Sequence, residues 1–153
     1  MAAGIAGEHV ALEWLILADA AQVVSNKLYM IGGGWDVLTV NSGFPADHPM
    51  AVAASFTVPW SDTNQKHSTD IEIFDEDRNA VMANVTAEFE VGRAPGIPPG
   101  LAQRTQLAVT LGLRIEHAGQ YTIRSRVNGE EQPRRACFRV LEGPGMALKK
   151  DRQ

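Results

Sequence analysis

One cysteine, Cys137, is all that the chain carries, so no intramolecular disulfide can form. That count excludes the small secreted scaffolds that disulfides staple together, and a reducing, cytoplasmic setting is expected. Long apolar runs are missing too. The opening MAAGIAGEHVALEWLILADAA has no basic leader and is broken by Glu8, His9 and Glu13, which fits neither a signal peptide nor a membrane span. Positive charge is short: 14 Lys and Arg stand against 18 Asp and Glu, for a net charge of -4. General binding to nucleic acid needs a broad basic surface, so nucleic acid is not an expected partner, and neither is a membrane. No serine nucleophile elbow, phosphate loop, dinucleotide fingerprint or H-E-x-x-H spacing occurs. No catalytic residue and no cofactor is therefore assigned.

What the chain does have is rhythm. Short alternating apolar segments are separated by Gly, Pro, Asn and Asp clusters, which is the spacing of an all-β fold. Its 153 residues suit one domain with a single core. The expected architecture is an antiparallel β-sandwich of about eight to nine strands, Ig-like or jelly-roll-like. Residues 10–141 form the domain, 1–9 an N-terminal extension and 142–153 a flexible tail.

The alternation also assigns faces. Val10 to Asp19 reads as a strand, with Leu12, Trp14 and Ile16 on one side and Glu13, Leu15 and Leu17 on the other. Strands follow at Lys27–Ile31 and Trp35–Val40, with Ser25-Asn26 as the turn before them and Gly32-Gly33-Gly34 as a bend between them. Residues 41–49 read as a loop. Met50, Val52, Ala54, Phe56 and Val58 then point inward, and Ala51, Ala53, Ser55 and Thr57 form a second face that is small and flat. Asn128-Gly129 is the strongest hairpin signal. It places Val127 opposite Glu130 and Tyr121 opposite Ala136, unless Pro133 introduces a bulge.

Two charged hairpins stand out. The one around residues 70–91 has Asp70, Glu72, Glu88 and Glu90 outward. The closing one has Arg124, Arg126, Arg135 and Arg139 outward, giving one acidic and one basic sheet surface. Cys137 falls among these arginines, where a cation would favour its thiolate, although no histidine accompanies it in sequence. Asp75, Asp77 and Asn79 have the spacing that opens a calcium loop, but the glycine and bidentate glutamate of that loop are missing, and an exposed turn is the expected reading. His48, His67 and Asp70 have no metal-ligand spacing.

Gly92 to Gly100, GRAPGIPPG, cannot be a central strand, since proline lacks the ladder donor. Prolines stiffen it before any partner arrives, which suits a recognition loop and equally a rigid crossover. The binding candidates are thus Phe44, His48, Trp60, Arg93, Pro95, Pro98 and Pro99. They lie on three loops: 44–49, 59–67 and 93–100. Tyr29, Trp35 and Trp60 lie near turns, and core packing is the expected fate of Trp35.

Certain landmarks resemble a known family. They are Lys27-Leu28-Tyr29-Met30-Ile31-Gly32, Trp35-Asp36, Phe44-Pro45-Ala46-Asp47-His48-Pro49, Gly119-Gln120-Tyr121 and Val127-Asn128-Gly129. Glu88 to Gly100 is similar to one subgroup. The family consists of small bacterial β-sandwich proteins classed as a domain of unknown function, and the resemblance covers residues 10–141. It implies a β-sandwich fold and a bacterial cytoplasmic setting, with no activity, cofactor or catalytic residue to carry over. The expectation is a non-enzymatic module that binds a protein partner or itself as a homo-oligomer. The alternative is a calcium-assisted sandwich binding carbohydrate or another small ligand, and an enzyme using Cys137 or His48 stands third.

Overall fold

The computed structural model describes residues 9–144. The N-terminal extension before His9 and the tail beyond Pro144 lie outside the described residues. Ten strands follow one another: β1 (Ala11–Val24), β2 (Lys27–Gly33), β3 (Val37–Val40), β4 (Ala46–Val58), β5 (Lys66–Asp75), β6 (Ala80–Glu90), β7 (Gln103–Ile115), β8 (Gly119–Val127), β9 (Glu130–Glu131) and β10 (Ala136–Glu142). They form two sheets, ordered β2-β1-β4-β7 and β3-β10-β8-β5-β6, with β9 added to β8. All pairings are antiparallel except β3 with β10. The fold is all-β, with a 3-10 turn at Trp60–Asp62. No described helix is long and apolar enough to cross a membrane.

Alternation builds the core. Leu17, Met50, Val52, Leu111, Leu113 and Ile115 from one sheet meet Ile71, Ile73, Tyr121, Ile123, Phe138 and Val140 from the other. Burial of one such side chain contributes about 1.5–3 kcal/mol. The Tyr121 and Phe138 rings stack with centroids 5.2 Å apart, because β8 and β10 place them side by side. Trp35 meets Phe138 edge-on at 5.7 Å, the core fate expected for it. A second cluster, with Phe56 stacked on Phe89 at 4.8 Å, seals the far end.

Several local expectations are corrected. In β1 the register slips between Leu12 and Trp14, so Glu13 is a bulge residue. One extra residue flips the alternation. Leu12 therefore shares the inner face with Leu15 and Leu17, while Trp14 and Ile16 stand on the outer face beside Ser55 and Ala53. β4 begins at Ala46, inside the expected loop, and Phe44-Pro45 is a cis peptide. In the closing hairpin Val127 does face Glu130, but Tyr121 faces Phe138 and Ala136 faces Ile123. The segment around Pro133 adds two residues, which moves the partners and keeps the inner parity.

The outer face of β4 is not half-exposed. Ala51, Ala53 and Ser55 are 0% exposed, like the inner residues. Their cover is the β1–β2 hairpin. β1 runs five residues past its expected end, and its distal part leaves the plane of the sheet. At the tip, Asn26 O accepts from Gln106 Nε2 of β7 (3.3 Å), although β1 borders β4 and not β7. β2 accordingly lies against β7. Only small side chains let a hairpin backbone settle on the sheet so closely.

Candidate functional site

Of the three candidate loops, the structure brings two together. β4 ends at Val58 and leads into the turn Trp60–Asp62, closed by Asp62 N–H donating to Pro59 O (2.9 Å). Arg93 reaches this turn from the proline-rich loop. Its Nη2 donates to Trp60 O (2.9 Å), its Nε donates to Thr63 Oγ1 (2.6 Å), and its guanidinium lies over the Trp60 ring, 4.1 Å from the centroid. A stacked guanidinium that keeps two directed hydrogen bonds is held by geometry as well as by charge. Asn64 N–H donates to Val91 O (2.8 Å) and Gln103 Nε2 to Gly92 O (2.9 Å), fixing the root of the loop from both sides.

The loop itself consists of two tight turns. Ile97 N–H donates to Ala94 O and Leu101 N–H to Pro98 O, both at 3.3 Å. Gly96 and Gly100 take φ of 89° and 83°, a region that β-carbon-bearing residues avoid. Pro95, Pro98 and Pro99 are left exposed on the outside, with Leu101 beside them at 52% exposure. An open groove of about 420 Å³ runs beside Arg93, lined also by Asn26, Glu90, Arg104 and Thr105. Arg104 is paired with Glu13, whose carboxyl that bond holds below its usual 4.5. Around the corner, His67 is buried and engaged on both nitrogens. Its Nε2 donates to Asp62 O (2.7 Å), and its Nδ1 accepts from Asn128 Nδ2 (3.1 Å). His67 therefore clasps the Trp60 turn to the Asn128-Gly129 hairpin.

Phe44 and His48 lie at the opposite end of β4. Phe44 packs against the core. His48 is half-buried, its ring edge-on to Trp35 at 6.3 Å. Both Nε2 of His48 and Nε1 of Trp35 are buried without a hydrogen-bond partner. Phe44 and His48 do not join Trp60 and Arg93 in one surface.

The expected separation of acidic and basic sheet surfaces is corrected. β5 pairs with β8, so both hairpins share one outer face. Glu72 accepts from Arg124 Nε (2.9 Å) and Arg126 Nη1 (3.0 Å), so one carboxylate engages two of the four arginines and offsets one of their charges. Arg124 also lies over Phe74 at 4.3 Å. Arg135 falls in the irregular stretch before β10 and pairs with Glu131 at 2.6 Å, while Arg139 stays exposed. Cys137 is exposed, with Thr122 Oγ1 3.8 Å from its sulfur. That threonine donates to Glu76 Oε1 (2.6 Å). A groove of about 240 Å³ joins Cys137 to Trp35, Asp36 and Leu15.

Asp75, Asp77 and Asn79 form a turn, and here the sequence reading missed a partner, His117. Asp75 Oδ1 accepts the Asp77 and Arg78 backbone N–H groups, both at 3.1 Å, and Asn79 takes the left-handed conformation, φ 54°. Asp75 Oδ2 sits 2.6 Å from His117 Nε2, and His117 Nδ1 sits 2.6 Å from Ala118 O. Both nitrogens face acceptors, which is the arrangement of an imidazolium. Accordingly the Asp75 bond raises the His117 pKa above 6.5, against the opposing effect of burial. For Asp75, burial acts upward, but the His117 bond and the turn amides outweigh it and leave the carboxyl below 3.8. Tyr121 donates to His117 O (2.6 Å), and burial together with the Asp75 charge pushes its phenol up to about 12. Ligand atoms of Asp75, Asp77 and His117 come within 4.8 Å of one another. His117 lies 42 positions from Asp75, and no spacing signal could have linked them.

Three hydroxyls rest on carboxylates, Thr122 on Glu76, Thr86 on Asp70 and Ser55 on Glu13, and among the described residues none of the three is accompanied by a histidine. Ser55 Oγ donates to Glu13 at 2.9 Å, and that carboxylate is already held by Arg104.

A family model described as a family of unknown function, DUF6941, matches residues 13–140. No curated protein matches the chain. Among solved structures, the Pseudomonas fluorescens alkylpurine DNA glycosylase AlkC, bound to DNA containing an abasic site analogue, is similar at 14% identity with a TM-score of 0.42. The match covers 91% of this chain and 33% of that one, and at this TM-score it carries no argument.

Proposed function

The chain belongs to the DUF6941 family, a family of unknown function, and we propose that it is a non-enzymatic protein-binding module. The surface proposed to bind is the end that carries Trp60, Arg93 and the 94–101 loop. One observation carries this reading. Arg93 is stacked on Trp60 and bonded to Trp60 O and Thr63 Oγ1, so a proline-rich, solvent-facing loop is held in one shape before any partner arrives. Pre-ordering lowers the entropic cost of association, and aromatic and arginine side chains are the usual anchors of interfaces. The occupant is proposed to be a protein, since the adjoining groove is open and shallow where small-molecule sites are enclosed. The proposed setting is the bacterial cytoplasm, in keeping with the single unpaired thiol.

The test is quantitative affinity capture from the producing cell with wild type, Trp60→Ala, Arg93→Ala and Arg139→Ala as baits. Partners retained by wild type and Arg139→Ala, and lost with both Trp60→Ala and Arg93→Ala, support the reading. Partners captured equally by all four baits, or none captured by wild type at any ionic strength, overturn it.

A further inference from the structure

The four sheet margins differ in how they are defended. A margin exposes unpaired N–H and C=O groups, and native proteins blunt such edges with charge, bulges, brevity or cover. β3 is only four residues long. β6 presents Glu88 and Glu90 and lies against an irregular register at Ile73/Phe74. β7 carries Arg104 and Arg114, both ion-paired. Among the described residues β2 has the fewest of these devices, its one irregularity being Gly32 near its end, at φ 61°. It is seven residues long, KLYMIGG, with no proline, one charge at its first position, and no register shift against β1. It is also apolar where it is most exposed: Ile31 is 74% exposed, Tyr29 54% and Met30 38%, with Val24 of β1 at 47%. A groove of about 340 Å³ beside Tyr29 and Ile31 is floored by Ala20, Ala21 and Gln22.

We propose that a second copy of this chain covers this margin, its β2 pairing antiparallel with β2 about a two-fold axis through Met30. A two-fold axis sets a residue opposite itself and reverses the strand around it. With Met30 on the axis, Tyr29 of each copy faces Ile31 of the other. Aromatic and β-branched residues make favourable cross-strand pairs, and here the pair is made twice. β1 continues these rows, since Ala20 is beside Ile31 and Gln22 beside Tyr29. The small Ala20 leaves room for the incoming ring. Lys27 faces Gly33, which has no side chain, and the two lysines stand about 20 Å apart at 3.3 Å per residue, so no like charges meet. The β6 margin brought onto itself would instead gather Glu88 and Glu90. The pairing joins the two four-stranded sheets through their β2 strands. This interface uses neither Trp60 nor Arg93 and stands apart from the binding end proposed above.

The test uses the full chain. Sedimentation equilibrium over a wide concentration series is expected to give twice 16.6 kDa for wild type and 16.6 kDa for Ile31→Lys, with unchanged circular dichroism. A positional test runs in a Cys137→Ser background. Opposed α-carbons in an antiparallel pair are about 4.5–5.5 Å apart, within disulfide range, so Met30→Cys should cross-link quantitatively on oxidation and Lys27→Cys should not. A wild type that stays at monomer mass throughout overturns the proposal. So does a dimer that survives Ile31→Lys, or one in which Met30→Cys fails to cross-link.

Discussion

The two sheets turn very different backs to their surroundings. The outer face of β5 and β8 is charged and self-neutralising, with Glu72 shared between Arg124 and Arg126, and Thr86 Oγ1 donating to Asp70 Oδ1 at 2.6 Å. The outer face of β4 has no such groups. It is Ala51, Ala53 and Ser55, all 0% exposed, with Ser55 Oγ donating to Glu13. The contrast shows how a run of small residues on a strand should be read. Side chains that water would solvate are long and polar, whereas a face of alanines invites another piece of backbone to settle on it. The cover then moves the apolar surface outward, to Tyr29 and Ile31, instead of abolishing it.

The largest effect should come from charging the covered face. Ala53→Asp buries an unpaired carboxylate and is expected to cost about 3–5 kcal/mol in urea unfolding. Asn84→Lys on the polar face should stay within about 0.5 kcal/mol. Equal effects at the two positions would show that the hairpin does not shield β4 in solution.

Next in size is the tie between the two sheets. His117 follows β7 of one sheet, and Asp75 ends β5 of the other. His117→Asn should cost about 1.5–3 kcal/mol, the usual range for hydrogen bonds to charged groups. The pH dependence has a definite sign. A raised histidine pKa contributes fully below 6.5, and the contribution is lost as pH climbs through the folded value. A lowered aspartate pKa contributes above 3.8, and the contribution is lost as pH falls through the folded value. The gap between wild type and His117→Asn should therefore be widest between 3.8 and 6.5 and narrow on either side. A gap that does not vary with pH would dissociate the histidine from the carboxylate.

The smallest effect belongs to the solvated face. Glu72→Ala removes the shared acceptor from two guanidiniums that still reach water, and should cost about 1–2 kcal/mol. The restored positive patch should also strengthen binding to a heparin column, as the separate basic surface expected from the sequence would have done. Unchanged retention would mean that Glu72 does not neutralise that face.

Much of the fold was legible because its signals are local. The Asn128-Gly129 turn could be read directly, since both residues take positive φ, 51° and 84°. The inner residues of β4 followed from alternation alone. The candidate site was legible only in pieces. Trp60 and Arg93 were singled out separately, and their stacking across 33 positions was not visible in either loop. Glu13 was placed on one face with Leu15 and Leu17. Its bulge depends on how β1 registers against β4, which no single strand encodes.

By itself, the order of residues determined the period of two, the turns and the inward side chains of strands without a bulge, since each strand's alternation carries its own burial preference. Tertiary structure alone decided which strands became neighbours. It thereby decided whether Arg124 meets Glu72, where the β1–β2 hairpin lies, and which margin stays open. The reason is physical: backbone hydrogen bonds pair strands without regard to distance along the chain. The partner of any outward side chain is therefore set by sheet order, and sheet order is a property of the whole core.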